Sequence, residues 1–200
     1  MPSPSSSRAA RSRTKGRAGQ GAVTAAKTLA EALIAAGLYV QAFPEYGPER
    51  EGAPLRAYNR ISEEPIALHA QVRAPDAVVV LDPTLVAQSD VLTEGAKPTT
   101  IFVVNSPKPA AEVARRLPTN GDQRVWTVDA TRIALDTLGR PLPNTVMLGA
   151  LARAAGVIGL PALTAQLQTS LGRKVQSHVL QANCRALERG YKEVKSDGEP

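Results

Sequence analysis

The residues of this chain best suited to chemistry are glycines. Gly16-Arg17-Ala18-Gly19-Gln20-Gly21-Ala22-Val23-Thr24 is a glycine-rich turn that runs into a helical pattern over residues 22–36. Glycine lets backbone approach a ligand closely, and a helix start offers unpaired N–H groups with a positive dipole end, so together they favour an anion such as a phosphate. Two standard phosphate loops fail here. Gly16 and Gly21 have P-loop spacing, but Ala22 stands where a lysine must reach the phosphates. The dinucleotide fingerprint needs G-x-G-x-x-G after an apolar strand, whereas the order here is G-x-x-G-x-G after the polar stretch Ala10 to Lys15. A glycine turn that serves only helix-to-sheet packing is the bland alternative.

A second candidate is Pro44-Glu45-Tyr46-Gly47-Pro48-Glu49-Arg50-Glu51-Gly52-Ala53-Pro54. It is longer and more charged than a simple hairpin requires, and functional residues concentrate on such loops. Catalytic constellations are missing. His69 and His178 are far apart and without ligand spacing, so no metal is assigned and no nucleophile has a base beside it. Asp82 and Asp129 at strand ends could form a carboxylate pair, although such aspartates more often cap turns and helices. The single cysteine, Cys184, makes neither an intrachain disulfide nor an iron–sulfur cluster, which needs several thiolates. These residues predict a chain that holds a ligand or assembles with others and does no catalysis alone.

The elements that would position the two loops follow from periodicity. Val23, Ala26, Leu29, Ala30, Leu33 and Ile34 recur at helical spacing, with Gly37 as the stop. Leu38 to Phe43 reads as a strand ended by Pro44, and Leu55 to Ile61 alternates as another. Ala77 to Leu81 and Thr100 to Val104 are continuous apolar runs, the mark of parallel strands covered on both faces. Residues 109–117 read as an intervening helix and Arg124 to Val128 as a further strand. Asn144 is placed to cap a helix through Gly156, Pro161 to open a short helix, and Val175 to Val194 to form a long amphipathic one. The order predicts a three-layer α/β/α domain with a mostly parallel, partly mixed sheet. The glycine loop, the 44–54 loop and the turns at Asp82, Asn105 and Asn144 are expected to share one sheet edge.

Composition bounds the rest. Two hundred residues, 43% of them hydrophobic, suit one core. The formal charge of +6 is concentrated: Arg8, Arg11, Arg13, Lys15 and Arg17 lie in a stretch without an acid, and the remainder is nearly neutral. Residues 1–15 therefore read as a basic arm that wraps a neighbouring subunit, residues 16–194 as the domain, and 195–200 as a frayed tail. A nucleic-acid-binding or scaffolding module using that arm is a competing reading, weakened by the lack of an aromatic for base stacking. An independent NAD-dependent oxidoreductase is another. No run approaches the roughly 20 apolar residues of a membrane span and no secretory signal opens the chain, so the expected address is the cytoplasm.

Taken together, the glycine loop, Gln41 to Pro54, Val80-Leu81-Asp82-Pro83-Thr84, Val103-Val104-Asn105-Ser106, Asn144-Thr145-Val146-Met147 and Asn183 to Tyr191 resemble the gamma subunit of 2-oxoacid:acceptor oxidoreductases, over about Gly16 to Lys192. The resemblance implies a multi-subunit enzyme that oxidatively decarboxylates a 2-oxoacid, pyruvate by default and an aryl 2-oxoacid such as phenylglyoxylate second, to an acyl-coenzyme A. It places thiamine diphosphate, magnesium and iron–sulfur clusters on alpha, beta and delta-type partners, with ferredoxin or an NAD-linked acceptor beyond them. The coenzyme A site, shared with partners, would take Gly16, Gly19, Gln20, Gly21, Arg50, Glu51, Gly52 and Asn144 from this chain. Members of the family have an apolar strand before the glycine loop and a glycine where this chain has Ala18. Here Ala9 to Lys15 is basic and polar, so that strand is expected to be an unusual edge or absent.

Overall fold

The computed structural model describes residues 10–17, 20–45, 54–67, 72–119, 122–172 and 174–198. Seven strands form one mixed sheet: β1 (Ala10–Arg17), β2 (Tyr39–Glu45), β3 (Pro54–Ser62), β4 (Ala77–Val80), β5 (Ile101–Asn105), β6 (Arg124–Val128) and β7 (Lys195–Ser196), in the order β2-β3-β1-β4-β5-β6-β7. The apolar runs read as parallel strands are the centre of it, since β1, β4, β5 and β6 all run parallel and antiparallel pairs close both flanks. β2 continues through Pro44 to Glu45, which an edge strand permits because one of its sides has no ladder to break.

Alternation along β4 and β5 sends side chains to two separate cores. Val79 and Val103 pack beneath α1 (Ala22–Ala35), α4 (Ala130–Leu138), α5 (Asn144–Ala155), α6 (Leu160–Gly172) and α7 (Ser177–Glu193). Val78, Val80, Phe102 and Val104 pack on the opposite face beneath a 3-10 turn (Pro83–Gln88), α2 (Ser89–Thr93) and α3 (Ala110–Ala114). This is the expected three-layer arrangement. The segments over 83–93 and 130–138 were not foreseen as helices. α4 is capped by Asp129, which accepts from the Arg132 N–H at 3.0 Å, and α6 is thirteen residues long rather than a short helix.

The basic stretch corrects two expectations. Residues 10–15 are neither an arm nor an edge: β1 lies between β3 and β4, antiparallel to one and parallel to the other. Polar side chains are tolerated at the centre because the two buried cations, Arg13 and Lys15, each find carbonyl partners. Arg13 donates to the Glu94 carbonyl and to the Val72 carbonyl, both at 2.8 Å, and its guanidinium lies 5.7 Å from the Tyr58 ring centroid. Lys15 Nζ donates to the Val91 carbonyl. Arg13 and Lys15 are buried, so they are not presented as an exposed nucleic-acid-binding arm. The tail is corrected as well, because β7 pairs antiparallel with β6, Ser196 opposite Trp126.

Lys15 is 1% exposed, and burial, followed by the Arg56 and Arg13 guanidinium groups, pulls its ammonium down to about 7. Above pH 7 the folded chain has released a proton that the unfolded chain, titrating near 10.5, still holds. Folding stability contributed by this residue therefore rises with pH above 7, with a total on the order of a few kcal/mol, and is lost again as pH falls through 7. Lys15→Met is expected to flatten that rise. Urea unfolding of both proteins at pH 7, 8 and 9 measures it, and parallel slopes would refute the assignment.

Candidate functional site at the carboxyl edge of the sheet

The four parallel strands end together, so Arg17, Val80, Asn105 and Val128 lie along one edge. The antiparallel wing adds to the same edge. Glu45 is in register with Arg56, and Arg17 with Pro54. Both described residues that flank the segment 46–53 are thus at the carboxyl edge beside the glycine turn, as the loop pattern predicted. Arg50, Glu51 and Gly52 lie outside the described residues, as does Gly19.

The chain leaves β1 through α1 toward β2 and β3 on one side, and leaves β4 toward β5 and β6 on the other, with the connecting elements on opposite faces. The crevice between the carboxyl ends of β1 and β4 is therefore a topological switch point, the place where open α/β sheets bind ligands. The glycine turn opens there. Gly16 is the penultimate residue of β1, and a Cβ on it would stand 3.1 Å from Gln20 Oε1 and 3.3 Å from Leu81 Cβ. Gly21 precedes α1 with φ +79°, a left-handed conformation that favours glycine. Among the described residues α1 has no side-chain cap and no acid in its first turn, so its positive end faces the crevice without either.

Asn144 completes the arrangement from the far side of the sequence. It is the first residue of α5, but its side chain makes no capping bond, contrary to the capping role expected of it, and Pro143 occupies the cap position. The amide is turned toward α1 instead: a Cβ on Gly21 would meet Asn144 Nδ2 at 2.7 Å and Cγ at 2.8 Å. The absence of a side chain at Gly21 is what admits the Asn144 amide to the start of α1. Four predicted residues, Gly16, Gln20, Gly21 and Asn144, are thus brought to one edge.

The turns at this edge are structural. Asp82 Oδ1 accepts from Thr84 N at 2.9 Å and from Thr84 Oγ1 at 2.7 Å, and Asp129 caps α4. With β5 between their strands, the two carboxylates are caps and not a catalytic pair. Asn105 Nδ2 donates to the Leu81 carbonyl and to Thr131 Oγ1, both at 2.8 Å, which laces β4 to α4. Cys184 is half-buried, and burial pushes its thiol up and away from reactivity.

One group at the edge escaped sequence reasoning. Tyr58 donates its hydroxyl to Glu45 and stacks on Phe43 with ring centroids 5.3 Å apart, and Arg56 pairs with Glu94 at 3.3 Å. Together with Lys15 and Arg13 they form a polar cluster that fixes Glu45, the last described residue before segment 46–53. The signal was available: Arg11, Arg13, Lys15 and Arg17 alternate as Arg56, Tyr58 and Arg60 do, so two strands present matching polar rows.

Comparison with known proteins accounts for this architecture. Residues 11–193 match the family model described as pyruvate ferredoxin/flavodoxin oxidoreductase. The chain is 49% identical over 183 residues to pyruvate synthase subunit PorC of Thermotoga maritima, covering 92% of this chain and 93% of that one. It is 44% identical to the common gamma subunit of the pyruvate/ketoisovalerate oxidoreductases of Pyrococcus abyssi, covering 88% and 95%. The crystal structure of the Thermotoga maritima pyruvate oxidoreductase subunit PORC superposes with a TM-score of 0.83 at 45% identity, covering 94% of this chain and 98% of that one. The chain belongs to the pyruvate ferredoxin/flavodoxin oxidoreductase family, as a gamma subunit.

Proposed function

We propose that this subunit contributes the coenzyme A site of a cytoplasmic oxidoreductase complex whose substrate is pyruvate. The observation that carries the reading is the start of α1 at the switch point, with Gly21 in the left-handed region and the Asn144 amide against it. Phosphate oxygens suit the N–H groups of a helix start, and the amide suits a hydroxyl or amide of the same ligand. Gly16, Gly19, Gln20 and Gly21 form the cradle, and Arg50, Glu51 and Gly52 come from the segment whose flanks reach the same edge. One cysteine in the whole chain is too few for an iron–sulfur cluster, which supports placing the clusters, and thiamine diphosphate with its magnesium, on partner subunits. Thiamine diphosphate supplies the carbanion chemistry of decarboxylation. This chain's part is to bind and orient the acyl acceptor, and alone it is inactive. The names of its relatives favour pyruvate, with branched-chain and aryl 2-oxoacids as the next substrates to try.

Arg50 tests the reading. If its guanidinium meets a coenzyme A phosphate, Arg50→Ala removes one charge-assisted contact, about 1.5–3 kcal/mol, and raises the coenzyme A requirement roughly ten- to hundredfold. Steady-state assay of the assembled complex should show that rise while the coenzyme-independent decarboxylation half-reaction is spared. An assembled variant with unchanged coenzyme A dependence would take Arg50 out of the site.

A further inference from the structure

We infer that the central strand β1 is hydrated from beneath α1, with an ordered water held by Asn59 and a short file of solvent leading to it past Ser12. In register, Ser12 stands directly opposite Asn59, and both side chains face α1. Asn59 is 1% and Ser12 5% exposed, and Asn59 Nδ2, Asn59 Oδ1 and Ser12 Oγ have no hydrogen-bond partner among the described residues. An amide carries two donors and an acceptor with two lone pairs, and leaving them all unmade in a core is strongly unfavourable. Asn59 is therefore a ligand looking for a partner.

The space around it decides what that partner is. Asn59 lines a chamber of about 10 Å³, together with Thr14 and apolar groups such as Ala25, Leu29 and Leu151. One water needs roughly 10–15 Å³ and two to four polar partners, so the chamber has room for a single water and none for an organic molecule. Leu29 and Leu151 are shared with a second chamber of about 180 Å³ that Ser12 lines and that reaches the amino edge of the sheet at Asp76 and Val157. The two chambers are thus separated by no more than the side chains they share, which is the route the inference gives to solvent. The inference also explains how a strand with no large apolar side chain occupies the middle of the sheet: Arg13 and Lys15 bond carbonyls on one face, and Ser12 and Asn59 bond water on the other.

A crystal structure of the full chain near 1.5 Å resolution, with thermal melts of Asn59→Leu, tests this. Expected is a density peak within hydrogen-bond distance of both amide atoms of Asn59, and a melting temperature for Asn59→Leu within about 3 °C of wild type, because leucine replaces an amide already satisfied. A dry chamber, an organic molecule in it, or Asn59 rotated onto a protein group would overturn the inference. So would a rise of more than about 3 °C, the mark of relieving an amide that had been unpaired. Should the variant fail to fold, oxygen-17 relaxation dispersion of the wild-type chain decides: a water with a residence time beyond nanoseconds supports the site, and its absence refutes it.

Discussion

Gly190→Ala is expected to lower the melting temperature by roughly 6–12 °C, and Gly149→Ala by a similar amount. These two glycines are where α5 and α7 touch through their backbones. A Cβ on Gly190 would lie 2.0 Å from the Val146 carbonyl oxygen, and one on Gly149 would lie 2.1 Å from the Leu187 carbonyl oxygen. Neither obstacle is a side chain that can swing aside, so the helices must separate and unpack Val146, Leu148, Ala186 and Leu187. Overpacking of this kind costs about 3 kcal/mol, which converts to the stated shift in a chain of this length. Gly156→Ala is the control. Its φ is +63°, but nothing lies within 4 Å of the added methyl, so only backbone strain of about 1 kcal/mol is at stake and the shift should stay near 2–4 °C. Calorimetry of the three variants checks the ranking, and equal shifts would mean that the α5–α7 approach is looser than described.

Gly21→Ala should act on binding more than on folding. The left-handed φ adds about 1–2 kcal/mol of strain, and the methyl must displace the Asn144 amide, which as a side chain can move away. The amide then leaves the start of α1. A coenzyme A requirement raised roughly ten- to hundredfold in the assembled complex is the expected result, with thermal stability reduced by a few degrees. Because the two residues act through one contact, Asn144→Ala should produce part of the same defect, and Gly21→Ala in that background should add little to it. Strict additivity in the double-mutant cycle would show that Gly21 and Asn144 serve the site separately.

How much of this was legible in the sequence depended on which physical signal each segment carried. β4 and β5 announce themselves as apolar runs because both of their faces are covered, and α1 does so because its buried stripe recurs at 3.6 residues. β1 was misread for the opposite reason. Its row Arg11, Arg13, Lys15, Arg17 carries the period of a strand but not its usual apolarity, and only the structure shows that carbonyls of Val72, Val91 and Glu94 accept from the buried Arg13 and Lys15. β7 is two residues long and owes its form to β6, so nothing local could reveal it. At the candidate site, glycine spacing pointed to the turn before α1, and the resemblance to the family pointed to Asn144. The contact between Gly21 and Asn144 spans 123 positions of sequence and depends on how α1 and α5 pack, which no local pattern encodes. The polar cluster of Glu45, Arg56 and Tyr58 was visible as alternation but gained meaning only once the strand order placed it beside β1.

The most direct test of the account is electron cryomicroscopy of the assembled oxidoreductase with coenzyme A bound. The account predicts the pyrophosphate of coenzyme A at the start of α1, against residues 16–21 in the crevice between β1 and β4, with the Asn144 amide within hydrogen-bond distance of the same ligand. Coenzyme A held entirely by partner subunits, with this edge of the sheet buried against protein, would contradict it.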